Sequence, residues 1–238
     1  MAFLSAKLCD VFPDGTSTLV ARGFLNLAQR RSRTGPEPMP PGVVETVELE
    51  LDATSWVFPA GHRLRLSLAG SDWPNLVPPP GPVTLTVERD GSSLTLPVLD
   101  GPSPSPPPSL PPPRPAATAD PGDGDAQVVW RVVRDVLGHR TEAEIDHGGR
   151  IELPDGSVLV ERYQGTVGVA LDQPGLTWAR GSAAYRVEWP EATVATSARL
   201  DLRGDADAFE VQLELEAREG DELRWARTWH RRIPRRLA

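Results

Sequence analysis

The chain has 238 residues, of which 39% are apolar and 24% charged. That is ordinary globular material, long enough for one or two cores. The net charge is −8, with 9 bases and 14 acids through Asp125 and 16 bases and 19 acids beyond it, so both halves are mildly acidic. Neither half offers the basic surface that nucleic acid requires. The lone cysteine, Cys9, excludes an intrachain disulfide and a cysteine-based zinc site. No apolar run approaches the roughly 18 residues of a membrane helix. The opening residues lack a basic leader region and are broken by Lys7, so a cytoplasmic location is expected.

Apolar residues recur at a spacing of two, the period of a strand with one buried face. In the first part, strands are expected near residues 3–12, 18–30, 43–51, 63–69, 83–89 and 93–98. Pro13-Asp14-Gly15 and Pro59-Ala60-Gly61 supply turns between them. Cys9 falls at an alternating position in the first strand and reads as a small buried apolar residue. A proline tract follows, with ten prolines from Pro102 to Pro121. It cannot donate ladder hydrogen bonds and reads as a polyproline spacer or strap.

Beyond it, strands are expected near 127–137, 141–146, 157–171, 178–189, 193–203, 208–218 and 222–231. The clearest is Phe209, Val211, Leu213, Leu215 and Ala217, alternating with Glu210, Gln212, Glu214, Glu216 and Arg218. Gly148-Gly149, Pro154-Asp155-Gly156, Gly204-Asp205 and Glu219-Gly220 read as turns. Short turns between consecutive strands predict a meander. Its five tryptophans (Trp130, Trp178, Trp189, Trp225 and Trp229) read as core filling. The fold class is therefore all-β, organised as residues 1–100, a linker at 101–125, and an antiparallel extension at 126–238.

Chemistry is harder to find. No Gly-x-Ser-x-Gly elbow, no glycine-rich phosphate loop and no His-x-x-x-His pair occurs. His139 and His147 stand near Glu142, Glu144 and Asp146, a segment that imitates a metal site but reads more simply as a polar hairpin. No catalytic residue, cofactor or metal is assigned. The C-terminal Arg231-Arg232-Ile233-Pro234-Arg235-Arg236 reads as a solvated tail strand.

Two phrases are recognisable. One is Cys9-Asp10-Val11-Phe12-Pro13-Asp14-Gly15, continued by Arg22-Gly23-Phe24-Leu25-Asn26-Leu27 and Arg30-Arg31. The other is Pro59-Ala60-Gly61-His62-Arg63-Leu64-Arg65-Leu66-Ser67-Leu68, then Asp72-Trp73-Pro74-Asn75. In this order they resemble the C-terminal domain of X-Pro dipeptidyl-peptidases and cocaine esterase-like hydrolases, the peptidase S15 group. The resemblance implies a bacterial protein with a galactose-binding-like jelly-roll β-sandwich that follows an α/β-hydrolase domain. It implies hydrolase activity located in that other domain, because no position here matches its nucleophile. The jelly roll's opening strands are expected to be missing as well. The expected partners are an α/β-hydrolase domain or a second copy of the chain, with the rim loop Asp72, Trp73 and Asn75 as the contact. His62 falls on the apolar side of its strand and is expected to be structural. The alternative is a carbohydrate- or small-ligand-binding β-sandwich, with Trp73 and Trp56 as stacking platforms.

Overall fold

The structure, a computed structural model, describes residues 1–99, 101 and 128–235. The expected proline strap lies outside the described residues, as does Arg236. The described residues form ten strands and one short 3-10 turn, so the chain is all-β.

The strands divide into two antiparallel sheets. The first contains β1 (Phe3–Val11), β2 (Ser17–Asn26) and β3 (Arg63–Ala69), in the order β2-β1-β3. Gly15 makes the β1–β2 turn at φ 89°, a conformation that suits glycine. β1 lies between the other two and is buried on both faces, through Ala6, Leu8, Cys9 and Val11. Its pairing with β3 sets Ala6 against Leu68, Leu8 against Leu66 and Asp10 against Leu64.

The segments 43–51, 83–89 and 93–98, expected as strands, are not in the sheet. The first still runs beside β2: the Asp52 amide donates to the Arg22 carbonyl at 2.7 Å. A Cβ on Gly23 would meet the Glu50 carbonyl oxygen at 2.1 Å, so glycine is what lets these backbones approach. The loop before it is pinned by Arg30. Its guanidinium binds both carboxylate oxygens of Glu45 and donates to the Leu27 and Glu37 carbonyls, each at 3.0 Å. This contact holds the Glu45 carboxyl below the usual carboxylate range.

The second sheet contains β4 (Val129–Asp135), β5 (Arg140–Glu152), β6 (Val158–Ala170), β7 (Thr177–Glu188), β8 (Thr193–Gly204), β9 (Ala208–Glu219) and β10 (Glu222–Pro234). They are ordered β10-β9-β8-β7-β6-β5-β4, so each strand pairs with its neighbours in sequence, as a meander must. Gly148 and Gly149 lie inside β5 and not in a turn. A Cβ at Gly148 would stand 2.4 Å from the Glu161 carbonyl oxygen, so a close cross-strand approach explains that glycine. The β5–β6 turn falls instead at Pro154-Asp155-Gly156, with Gly156 at φ 83°.

Register separates the two faces of the meander. One carries Trp130, Ile145, Val167, Leu200, Leu213 and Trp229 across its width; the other carries Arg131, Glu144, Thr166, Arg180, Asp201 and Glu210. Seven strands of about twelve residues present a face of roughly 1,300 Å². The largest apolar patch on a typical monomer is about 300–600 Å². Trp130 is 79% exposed, Trp225 43% and Trp189 42%, so these tryptophans do not fill a core. The expectation failed because alternation shows which residues share a face, not whether anything covers it.

Candidate functional site

Asp10 is the centre of the first sheet. It continues the apolar row of β1 after Ala6 and Leu8, and it is 1% exposed. A buried carboxylate must be met by donors. Two arrive from the long connection into β3. His62 Nδ1 lies 2.9 Å from Asp10 Oδ1, and Trp56 Nε1 donates to Oδ2 at 3.1 Å. The His62 ring also stacks on Phe12, with centroids 4.6 Å apart. The imidazole is thus half-buried, held by its contacts with Asp10 and Phe12.

A carboxylate holding the Nδ1 edge of a histidine is two-thirds of a hydrolytic triad. Among the described residues, no serine, threonine or cysteine bonds to this imidazole. The arrangement can orient His62 and staple residues 56–62 across the sheet; it has no nucleophile to activate. Cys9, on the opposite face of β1, is buried, with its Sγ 4.0 Å from the Lys7 carbonyl.

The rim loop splits three ways. Asp72 is 8% exposed and holds Lys7 Nζ at 2.5 Å. Trp73 is half-buried and Asn75 exposed. Beside them, the outer edge of β3 is unpaired among the described residues, and Leu64, Leu66 and Leu68 on its apolar face are 50%, 39% and 43% exposed. Of the two proposed stacking platforms, Trp56 spends its indole N–H on Asp10, while Trp73 is partly covered.

The histidine–carboxylate segment makes no metal cluster among the described residues. Parity explains this. His147 is an odd-numbered residue of β5 and stacks on Tyr163 at 4.6 Å, on the apolar face. Glu142, Glu144 and Asp146 point the other way, where Glu142 accepts from Trp178 Nε1 and Glu144 from Arg131 Nε.

The basic tail also differs from its expected solvated state at one residue. Arg235 is 6% exposed. Its guanidinium donates to the carbonyls of Gly175 at 3.1 Å, Asp205 at 2.7 Å and Pro78 at 2.7 Å. It also lies 4.7 Å from the Phe209 ring centre. Pro78 follows β3 in the chain, so this cation ties the segment after β3 to two turns of the meander. Burial pulls its pKa below the usual arginine value, with Asp205 opposing. Arg231 and Arg232 remain exposed. Local sequence carried no sign of this difference among the three arginines, because the carbonyls come from distant turns.

Comparison with known proteins places the first unit. Residues 2–105 match the family described as the X-Pro dipeptidyl-peptidase C-terminal non-catalytic domain. A Streptomyces avermitilis protein, provisionally named an Xaa-Pro dipeptidyl-peptidase, is 37% identical over 84 residues, which are 35% of this chain and 12% of that protein. The cocaine esterase of Rhodococcus sp. strain MB1 Bresler is 34% identical over 70 residues, 29% of this chain and 12% of the esterase. A provisionally named serine esterase of Mycobacterium bovis is 30% identical over 111 residues, 38% of this chain and 18% of that protein. The matched stretches thus span less than a fifth of these relatives. No solved structure gives a significant match.

Proposed function

We propose that residues 2–105, a C-terminal non-catalytic domain of the X-Pro dipeptidyl-peptidase family, dock against an α/β-hydrolase domain and shape the mouth of its cleft. The observation that carries this reading is the leucine stripe of β3. An edge strand unpaired among the described residues, with Leu64, Leu66 and Leu68 exposed, is surface that a neighbouring layer normally covers. The Asp10–His62–Trp56 staple holds the chain rigid next to that stripe. The jelly-roll arrangement of the family and the division at the proline linker belong to the same reading. So does a cytoplasmic setting. The uncovered apolar face of the meander supplies further area for the same neighbour. A second copy of the chain, pairing β3 to β3, is the competing occupant. A carbohydrate-binding role has weaker support, since of its two expected platforms Trp56 is 44% exposed and Trp73 is partly covered.

The test is an exchange of segments. The matched segment of the Rhodococcus cocaine esterase is replaced by the corresponding segment of this chain, and ester hydrolysis is measured. The chimera is expected to retain activity within about tenfold. Changing Leu64, Leu66 and Leu68 together to serine in the chimera is expected to lower hydrolysis or the melting temperature of the esterase. A folded chimera indifferent to the triple change would overturn the docking role.

A further inference from the structure

The polar face of the meander holds a feature that the docking reading does not use. Five consecutive strands, β4 to β8, line a shallow, open depression of about 580 Å³ on that face. Its size falls within the range of small-ligand sites. Gly165 and Gly181 face each other in register in the middle of β6 and β7. A Cβ on Gly181 would stand 3.1 Å from the Gln164 carbonyl oxygen, and one on Gly165 would stand 3.4 Å from that of Arg180. The missing side chains keep the backbone of both strands accessible at the floor of the depression.

The charges in the cleft are unevenly compensated. Thr166, Arg180 and Asp201 form one row across β6–β8, and Gln164, Ser182 and Arg199 form the next. Asp201 is engaged by Arg203 through two bonds of 3.0 and 3.3 Å. Arg180 reaches it only at 3.5 Å. Arg199 has no hydrogen-bond or ion-pair partner among the described residues. Glu214 stands opposite it in register, yet takes the Gln212 amide instead. On the β7–β8 side Arg199 is therefore a guanidinium without a bonded carboxylate among the described residues, with Ser182 beside it in register. On the β5 side, Glu144 binds Arg131 through Oε2 alone, at 2.6 Å, and its Oε1 has no partner among the described residues. β5 and β7 are two strand spacings apart, about 10 Å.

We infer that this cleft binds a short zwitterionic peptide, its carboxylate on Arg180 and Arg199 and its ammonium on Glu144. An extended tripeptide spans about 10 Å, which matches the separation of the Glu144 and Arg180 strands, with Arg199 one strand beyond. A guanidinium pair suits a carboxylate because its N–H groups can meet both oxygens. This inference does not rest on the hydrolase-docking role, and either can fail alone.

The experiment is calorimetric titration of the full chain with trialanine at low salt, alongside N-acetylated trialanine, trialanine amide and inorganic phosphate. Trialanine is expected to bind and to weaken as salt is raised. Acetylation or amidation is each expected to lower affinity about tenfold or more, as is Arg199→Gln or Glu144→Gln. Arg199 and Glu144 lie outside the apolar core, and unchanged melting curves establish that the variants are folded. Arg232→Gln, at an exposed pair with Glu210 away from the cleft, is the control and is expected to change nothing. No heat with trialanine would overturn the assignment. So would phosphate binding as tightly as trialanine, or variants that bind like the wild type.

Discussion

Arg235 gives the sharpest energetic prediction. Replacing it with alanine removes two methylenes of its stem, worth about 1.6 kcal/mol at roughly 0.8 kcal/mol each. It also strips donors from the Gly175 and Pro78 carbonyls, in residues that are both buried. Each stranded acceptor costs about 1–3 kcal/mol. The arginine regains about 2 kcal/mol of rotamer freedom on release, which offsets part of the loss. The balance is a destabilisation of about 2–6 kcal/mol, with the Phe209 contact adding a little more. Arg235→Met keeps most of the stem and should lose about half as much. Arg232→Ala, at an exposed pair, should lose no more than about 1 kcal/mol. Equilibrium urea unfolding followed by tryptophan fluorescence measures all three. An Arg235→Ala midpoint indistinguishable from that of Arg232→Ala would refute the reasoning.

Other expectations follow from the same structure. Asp10→Ala leaves the Trp56 and His62 ring donors without their acceptor and should cost about 2–5 kcal/mol by urea unfolding. Gly168→Ala places a Cβ 2.2 Å from the Trp178 ring, so it should displace that indole from Glu142. A shift in tryptophan emission, together with a loss of about 1–3 kcal/mol, would report the displacement. The turn carboxylate of Asp205 accepts from the Asp207 and Ala208 amides and is held below the usual carboxylate range. A group depressed on folding stabilises the fold above its unfolded pKa, and that contribution is lost as pH falls through its folded value. Melting temperature should therefore fall below about pH 4, and Asp205→Asn should flatten part of that fall.

Much of this architecture is legible in the residues. The alternation from Val194 through Trp229 sets both faces of the meander, and Gly15, Gly61, Gly156 and Gly220 adopt the positive φ their turn positions imply. His62 meets a buried partner, as its place beside Leu64 and Leu66 requires. The identity of that partner was encoded more quietly. Asp10 shares the parity of Ala6 and Leu8, and an acid in an apolar row is itself a signal that donors must converge on it. The burial of Arg235 had no comparable mark. Nor could periodicity distinguish the paired strands from segment 43–51, which runs alongside β2 without joining the ladder. Alternation was equally silent about Trp130 and Trp225, since burial depends on a layer that these residues do not specify.

The central claim is that the Asp10–His62 pair supports a surface and activates no nucleophile. The most direct measurement is turnover of a fluorogenic X-Pro dipeptide by the purified chain, with labelling by a serine-directed phosphonate and His62→Ala as control. Neither turnover nor labelling above buffer is expected in either protein. Labelling of the wild type that His62→Ala abolishes would contradict it.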